Sequence, residues 1–247
     1  MTVLNVPLDR LDNPDHSRPR PLFGRTDLLE EITSTLLIPH HILLHGPGGS
    51  GKTAISEAIL DEPPIREKYK ERRFLIEFDD IDSFQMTHEL FINRLSRHVL
   101  VDAVHVAKEW HIMNFLKPSD ALLVLDSMDS LVDAPSPDRD LILDSLIEIG
   151  ALPNVALVMT TSQSTEPPPG FKLPYMIYHI PPLPSTSIHD VFSSIYKTDD
   201  TALVAEWLSM NDVTNALGIT ILAHTAYTNH WTANQLRDAW DTTHTPL

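Results

Sequence analysis

The sequence contains no cysteine and few basic residues. None of the 247 residues is cysteine, which excludes disulfides, thiolate zinc sites and cysteine nucleophiles and is compatible with an intracellular protein. Lysine and arginine total 18 against 34 aspartates and glutamates, giving a formal net charge of −16. Because binding to a polyanion requires a basic face, this balance argues against sequence-independent binding to nucleic acid or to anionic membranes.

Long apolar segments are absent as well. No segment approaches the roughly 20 consecutive apolar residues that cross a bilayer, and the amino terminus has no apolar stretch of signal-peptide length. We therefore expect a soluble, cytoplasmic protein that binds neither membrane nor nucleic acid. One basic run, from Lys68 to Arg73, departs from the acidic balance, and its position predicts a solvated helix end that leads into a strand.

Apolar strands alternate with helical segments through most of the chain. Residues 1–21 carry prolines among charged residues and are predicted to form a flexible segment. The predicted strands are Ile42–Leu44, Phe74–Phe78, Ala121–Leu125, Val155–Met159 and Tyr175–Tyr178. Fully apolar strands separated by helices are typical of a parallel sheet covered on both faces. Only helical periodicity follows the proline-rich residues 181–184, so we expect an α/β domain over residues 22–181 and a helical domain over 182–247.

The stretch GPGGSGKT, after the first predicted strand, fits the pattern G-x-x-x-x-G-K-[ST]. Its glycines allow backbone N–H groups to surround phosphate oxygens, its lysine reaches the β- and γ-phosphates, and its threonine hydroxyl binds Mg²⁺. The alternative, a glycine-rich turn with a chance Lys-Thr pair, is disfavoured because a strand precedes the loop and a helix follows it. The predicted phosphate-binding residues are Gly46, Pro47, Gly48, Gly49, Ser50, Gly51, Lys52, Thr53 and Ala54.

Two aspartates follow the predicted strand 121–125. Asp126 ends that strand, where ligands gather in open α/β sheets, and is predicted to hold Mg²⁺ together with Thr53; a helix cap is the alternative. Asp129 either polarises an attacking water as a general base or caps the loop and faces solvent, and both interpretations stay open. The candidate catalytic residues are therefore Lys52, Asp126 and Asp129.

Four segments resemble a known family: PLFGRTDLLEEI, HILLHGPGGSGKTAISEAIL, ALLVLDSMDS and LGITILAHTA. Together they resemble the STAND class of P-loop NTPases, and most closely the NB-ARC-type nucleotide-binding module of fungal NLR-like proteins. The resemblance implies a three-layer P-loop fold with strand order 5-1-4-3-2, followed by a small helical domain, and implies ATP or ADP with Mg²⁺ as cofactors. It further places Phe23, Gly24 and Arg25 against the adenine, and Thr160 or Thr161 near the γ-phosphate.

Three features depart from that family pattern. Ser162 and Gln163 stand where plant relatives have an arginine that senses the γ-phosphate, and Ala216 stands where a proline is expected to pack near the adenine. The chain also ends before any winged-helix domain, so no histidine is assigned to the family's ADP-locking position. These departures leave the phosphate site intact and weaken the expectation that the helical domain closes on the base.

The resemblance implies a molecular switch for signal transduction in innate immunity. In this interpretation the module binds ATP or ADP, hydrolyses ATP slowly and self-associates in the ATP state, while its protein partners are not specified. One alternative is an AAA+ or initiator-like ATPase that acts as a ring, which requires an arginine supplied in trans and a basic channel. A second alternative is a non-catalytic fragment that only binds nucleotide.

Overall fold

The computed structural model describes residues 22–38, 40–100, 108–163, 171–197, 201–210 and 213–243. The predicted flexible segment, residues 1–21, lies outside the described residues. By the contacts among its residues the chain divides into two units. The first unit consists of the described residues within Asp27–Pro47 and Lys52–His179. The second consists of Leu22–Thr26, Gly48–Gly51 and the described residues from Ile180 onwards.

A five-stranded parallel sheet forms the centre of the first unit. Its strands are β1 (Ile42–His45), β2 (Arg73–Glu77), β3 (Ala121–Asp126), β4 (Val155–Thr161) and β5 (Met176–His179). They lie in the order β2-β3-β4-β1-β5, and every neighbouring pair is parallel. The predicted α/β P-loop fold and its strand order are therefore confirmed. The order places β4 between the strand that precedes the glycine loop and the strand that ends at Asp126.

The described helices of the first unit connect and flank these strands. They are α1 (Thr26–Leu36), α2 (Lys52–Asp61), α3 (Pro63–Tyr69), α4 (His88–Val99), α5 (Glu109–Leu116), α6 (Asp129–Val132) and α7 (Asp138–Gly150), with a 3₁₀ turn at Ser83–Gln85. Every residue of β3 and β4 is buried, as expected for central strands covered on both faces. One large apolar cluster packs α4, α5 and α7 against the sheet through residues such as Phe91, Ile112 and Leu146.

His41 fixes the start of β1 to two neighbouring elements. Its Nε2 lies 3.0 Å from the carbonyl oxygen of Gly150, at the end of α7, and its Nδ1 accepts a hydrogen bond from the backbone N–H of Leu157 in β4. Because Nδ1 is an acceptor, the proton of the neutral ring is on Nε2 and is donated to the carbonyl. Burial lowers the pKa of His41, an effect that the Gly150 contact opposes. The buried ring is therefore a neutral link between β1, β4 and α7.

Two proline residues begin a helix that the sequence pattern does not reveal. The helix after the glycine loop ends at Asp61, and Pro63 and Pro64 occupy the first turn of a further helix, α3. Proline fits this position because the first N–H groups of a helix have no intrahelical partner. At the far end of α3, Tyr69 is buried and its hydroxyl donates to the carbonyl of Leu36.

The basic run from Lys68 to Arg73 begins in the last turn of α3 and leads into β2, as predicted. Its side chains are nevertheless hydrogen-bonded to the main chain. Lys68 donates to the carbonyls of Leu36 and Leu37, and Arg72 donates to the carbonyl of Phe115 at 2.7 Å. Arg73 donates to the carbonyl of Leu60. The basic side chains therefore supply hydrogen-bond donors for backbone carbonyls of helices and loops.

The described helices of the second unit are α8 (Ser185–Ile195), α9 (Thr201–Met210), α10 (Ala216–Asn229) and α11 (Ala233–Thr243). Ile188, Phe192, Leu208 and Ile219 are central to one apolar cluster that joins them. The unit therefore has a hydrophobic core of its own, which is what defines an independent packing unit. No helix in the described part of the chain is both long enough and apolar enough to cross a membrane.

Candidate nucleotide-binding site

The glycine loop joins β1 to α2. Gly49 and Gly51 have φ angles of +74° and +98°, values that residues with a β-carbon rarely adopt. Lys52 and Thr53 begin α2, and the Lys52 ammonium donates to the carbonyls of Gly46 and Pro47 at 2.7 and 3.0 Å. The side chain of Lys52 is therefore folded back over the start of the loop, at the amino terminus of the helix, where an anion is favoured.

Two features of the loop fit a bound phosphate. The hydroxyl oxygen of Ser50 is buried and has no hydrogen-bond partner among the described residues. A β-carbon placed on Gly48 or Gly51 would meet no atom within 4 Å, so the loop borders open space at both positions. A buried polar atom without a partner is costly, and a phosphate oxygen next to Ser50 would remove that cost.

Asp126 is the buried carboxylate of the site. Its side chain is only 2% exposed. The Thr53 hydroxyl donates to Oδ2 at 2.6 Å, and the Thr160 hydroxyl donates to Oδ1 at 2.7 Å. Thr160 also accepts a hydrogen bond from the backbone N–H of Ser127, whose φ of +62° turns the chain sharply after β3. The structure thus brings together Thr53, Asp126 and Thr160, three residues that the sequence predicted for this site.

The pair of Thr53 and Asp126 suits a hard divalent cation. Both supply oxygen ligands, which Mg²⁺ prefers, and Mg²⁺ in phosphate sites is held by one or two protein groups plus phosphates and water. Within the described residues, no group of three or more histidine or acidic side chains converges on one point. The geometry therefore fits a cation that is bound together with a phosphate better than one held by protein ligands alone.

Asp129 is the first residue of α6 and accepts hydrogen bonds at both carboxylate oxygens. Thr161 donates its hydroxyl to Oδ1 at 2.5 Å, and Ser162 donates its hydroxyl to Oδ2 at 2.8 Å. The backbone N–H of Ser162 lies 3.1 Å from each oxygen. Asp129 therefore joins the start of α6 to the end of β4. A water molecule that donates a hydrogen bond to Asp129 would compete with these donors for the lone pairs of the carboxylate.

A cavity of about 60 Å³ borders Asp129 and Thr161. Its other walls are mostly apolar and include Leu43, Met128 and Met159. The carboxylate of Asp129 therefore has a mostly apolar cavity on one side.

Lys52 is the cation of this group. Burial lowers the pKa of its ammonium, while the negative charges of Asp129 and Asp126 oppose that change. Two carboxylates therefore lie close enough to Lys52 to interact with it electrostatically. The hydrogen bonds that the described residues donate to the two aspartates come from hydroxyl or backbone N–H groups.

The family is identified by comparison with known proteins. The model of the NACHT domain matches residues 40–199, a range that contains the loop, Asp126, Asp129 and the end of β4. The chain belongs to the NACHT family. NACHT domains are P-loop NTPases of the STAND class, so the predicted class is confirmed, while the closer likeness to NB-ARC modules and fungal proteins stays a prediction. No curated protein matches the chain significantly.

Solved structures share the fold of this NACHT domain at low sequence identity. The Walker-type ATPase of Pyrococcus abyssi is 13% identical with a TM-score of 0.65, over 88% of this chain and 71% of the ATPase. The ORC1 protein of Aeropyrum pernix in complex with DNA is 18% identical with a TM-score of 0.58, over 93% of this chain and 68% of that one. Drosophila ORC bound to DNA is 13% identical with a TM-score of 0.61, over 91% of this chain and 62% of its own.

The predicted adenine segment, Phe23–Arg25, precedes the residues that match the NACHT model and belongs to the second unit. Gly24 has a φ of +64°, and a β-carbon there would lie 2.2 Å from the hydroxyl oxygen of Ser187 and 3.2 Å from Pro184. Glycine is therefore required where the chain passes the start of α8. Arg25 is buried, and burial lowers the pKa of its guanidinium. The role of Phe23, Gly24 and Arg25 in binding the base stays a prediction.

The sequence pattern does not reveal the contacts of two residues at the site. Ser162 stands where plant relatives have an arginine, and it supplies three of the hydrogen bonds to Asp129. Asn215 caps α10, and its side-chain amide donates to the carbonyl of Gly48 at 2.7 Å. An asparagine before an apolar helical pattern is a recognisable cap, but its contact with the loop depends on the tertiary fold.

Proposed function

We propose that this NACHT domain is an ATP- and ADP-binding switch module of a cytoplasmic, NLR-like signalling protein, with slow Mg²⁺-dependent ATP hydrolysis. The observation that supports it most is the cluster of Thr53, Asp126 and Lys52 at the glycine loop. This cluster provides a cation, a carboxylate and a hydroxyl beside an anion-binding loop, which are the groups that P-loop NTPases use.

Each residue of the cluster has a distinct task in this proposal. The loop N–H groups and Lys52 bind the β- and γ-phosphates, while Thr53 and Asp126 hold Mg²⁺, which neutralises charge on the phosphates. Thr160 keeps the carboxylate of Asp126 in place. Thr161 and Ser162 orient Asp129, which then positions a water in line with the γ-phosphate.

We expect slow hydrolysis because Ser162 and Gln163 stand where plant relatives have an arginine that senses the γ-phosphate. The described hydrogen bonds to the carboxylates of Asp126 and Asp129 also come from hydroxyl and backbone N–H groups rather than from an arginine. An arginine that contacts the transferred phosphate contributes a factor of about 10³–10⁵ to the rate. We infer that, without such a contact, bound ATP is hydrolysed much more slowly than in a motor ATPase, so that the bound nucleotide can serve as a signal.

The nucleotide that co-purifies with the protein tests the proposal. After denaturation and chromatography, we expect about one ADP or ATP per chain. Lys52→Ala should abolish retention, because the lysine supplies the positive charge for the phosphates, whereas the matched variant of an exposed lysine, Lys172→Ala, should retain it. An empty wild-type site, or full retention by Lys52→Ala, would contradict the proposed role of the loop.

Replacement of Asp129 separates a hydrolysing switch from a non-catalytic binding fragment. Asp129→Asn should lower the single-turnover rate of ATP hydrolysis at least tenfold with ATP affinity within a factor of three, because the amide positions water less well. Asp133, an exposed acid at the end of α6, provides the control Asp133→Asn. An equal hydrolysis rate in Asp129→Asn and wild type would leave Asp129 with a structural role only.

An initiator-like ATPase is the second candidate, because two of the similar folds are ORC proteins bound to DNA. The net charge of −16 argues against this function for the present chain, since binding to DNA relies on lysine and arginine to neutralise its phosphates. We propose that the domain does not bind nucleic acid and self-associates only with ATP. Electrophoretic mobility with duplex DNA at physiological salt tests the first statement, and size-exclusion chromatography with ATP and with ADP tests the second.

A further inference from the structure

The start of α10 is hydrogen-bonded to two consecutive peptide groups of the glycine loop. Within the second unit, the side-chain amide of Asn215 donates to the carbonyl of Gly48 at 2.7 Å. The backbone N–H of Leu217 donates to the carbonyl of Gly49 at 3.0 Å. The loop therefore has two of its carbonyl oxygens fixed by a helix that lies more than 160 residues further along the chain.

Both ends of the Asn215 side chain are used. While its amide nitrogen donates to Gly48, its Oδ1 accepts from the N–H groups of Leu217 and Gly218 at 3.0 and 3.2 Å and caps α10. A side chain with three such bonds has one orientation. The approach is close, since a β-carbon on Gly49 would lie 2.6 Å from Asn215 Oδ1 and 2.7 Å from the β-carbon of Leu217.

These bonds determine where the loop N–H groups point. In a planar trans peptide the C=O and the following N–H point in opposite directions. When the carbonyls of Gly48 and Gly49 point towards α10, the N–H groups of Gly49 and Ser50 point to the opposite side of the loop. N–H groups that diverge from carbonyls in this way form the concave anion site of phosphate-binding loops.

We propose that Asn215 is a positioning residue for the phosphates of a bound nucleoside diphosphate or triphosphate. It fixes the peptide between Gly48 and Gly49 so that the Gly49 N–H is available to a phosphate oxygen. The same side chain fixes the first turn of α10, so phosphate binding and the start of this helix depend on each other. This inference rests on the proposed function, because it requires the loop to bind phosphate.

Three substitutions separate the two tasks of Asn215. Serine and aspartate both cap helices well, but serine lacks an amide that reaches Gly48, and aspartate places a negative oxygen against the Gly48 carbonyl. Alanine removes both the cap and the amide. Thr232, whose hydroxyl accepts from the N–H of Gln235 and caps α11, gives the control Thr232→Ala in the same unit, with no loop contact among its described hydrogen bonds.

The affinities of the purified proteins for ADP and for AMP, both with Mg²⁺, provide the measurement. We expect Asn215→Asp to weaken ADP binding about tenfold or more and Asn215→Ser about three- to tenfold, with AMP affinity changed less than twofold, because the loop binds the β-phosphate. The melting temperatures of these two variants should stay near that of wild type. Asn215→Ala should lose both ADP affinity and thermal stability, and Thr232→Ala should lose stability alone.

Two results would overturn the inference. In one, Asn215→Asp and Asn215→Ser bind ADP as tightly as wild type. In the other, they lose ADP and AMP affinity by the same factor, which would indicate a general effect on the fold. Failure of the proposed function is distinguishable from both, since wild type itself would then bind no ADP, or Lys52→Ala would bind it normally.

Discussion

The hydroxyl of Thr160 provides the sharpest test of the site's internal hydrogen bonds. Thr160 is fully buried, donates to the carboxylate of Asp126 and accepts from the backbone N–H of Ser127. The substitution Thr160→Val keeps the shape and the β-branch and removes only the hydroxyl. It leaves a buried carboxylate with one donor fewer and a backbone N–H without its acceptor.

The magnitude follows from these two losses. A hydrogen bond to a charged group contributes about 1.5–3 kcal/mol, and a buried donor without a partner costs about 1–3 kcal/mol. Because relaxation recovers part of this sum, we expect Thr160→Val to lower the free energy of unfolding by about 2–4 kcal/mol. For a chain of this size the melting temperature should fall by roughly 4–16 °C.

The same substitution at Thr33 is the matched control. Thr33 lies in α1, is 5% exposed, and its hydroxyl has no hydrogen-bond partner among the described residues. Valine at this position removes a buried hydroxyl that lost its hydrogen bonds to water on folding and has no described partner in their place. Thr33→Val should therefore stabilise the protein by about 0.5–2 kcal/mol. Differential scanning calorimetry and urea titration measure both. A Thr160→Val protein as stable as wild type, or equal shifts of the same sign for both variants, would refute the reasoning.

Further predictions concern pH and two glycines. Burial lowers the pKa of His41. The contribution of its neutral ring to the free energy of unfolding is therefore complete above the pKa of histidine in the unfolded chain, about 6.5. This contribution is lost as the pH falls towards the pKa of His41 in the folded protein, by up to about 1.4 kcal/mol per pH unit. His41→Gln should flatten this slope in urea titrations between pH 7 and 5, whereas exposed His224→Gln should not; identical slopes would contradict the prediction. Gly24→Ala should destabilise the second unit by at least about 1 kcal/mol, because its φ is positive and Ser187 blocks the β-carbon. Gly218→Ala, within α10 and with only ordinary contacts, should gain up to about 1 kcal/mol, and equal effects of the two substitutions would be inconsistent with this packing.

The sheet could be predicted because its strands are short apolar runs with clear ends. Ile42, Ala121 and Val155 each begin both the predicted and the observed strand. The prediction for β4 stopped at Met159, yet the strand continues through Thr160 and Thr161. Threonine favours strands but is not apolar, so a pattern of apolar residues underestimates a strand that ends inside a polar site.

The hydrogen bonds of the site could not be predicted in the same way. The sequence predicts one site for Lys52 and Thr53 of the glycine loop and Asp126 at the end of a strand, because each residue type has a known chemical reason there, and in the structure Thr53 is hydrogen-bonded to Asp126. The bonds from Thr160 and Thr161 to the two aspartates join residues 34 and 32 positions apart. They depend on β4 lying beside β3 and on the left-handed turn at Ser127. Neither the position of β4 beside β3 nor the conformation of Ser127 can be read from a single sequence.

The place of β4 in the sheet restricts which residues can end it. β4 lies between β1, which leads into the glycine loop, and β3, which ends at Asp126, so β1 and β3 are not hydrogen-bonded to each other. Thr161 accepts a hydrogen bond from the N–H of Gly46 at its carbonyl, and Thr160 accepts one from that of Met128, while their hydroxyls serve the two aspartates. Both positions need a β-branched side chain for the strand and a hydroxyl for a carboxylate, and threonine is the one amino acid that offers both. Serine keeps the hydroxyl and lacks the β-branch, while valine keeps the β-branch and lacks the hydroxyl, so each of these mild replacements loses one of the two functions of threonine at these positions.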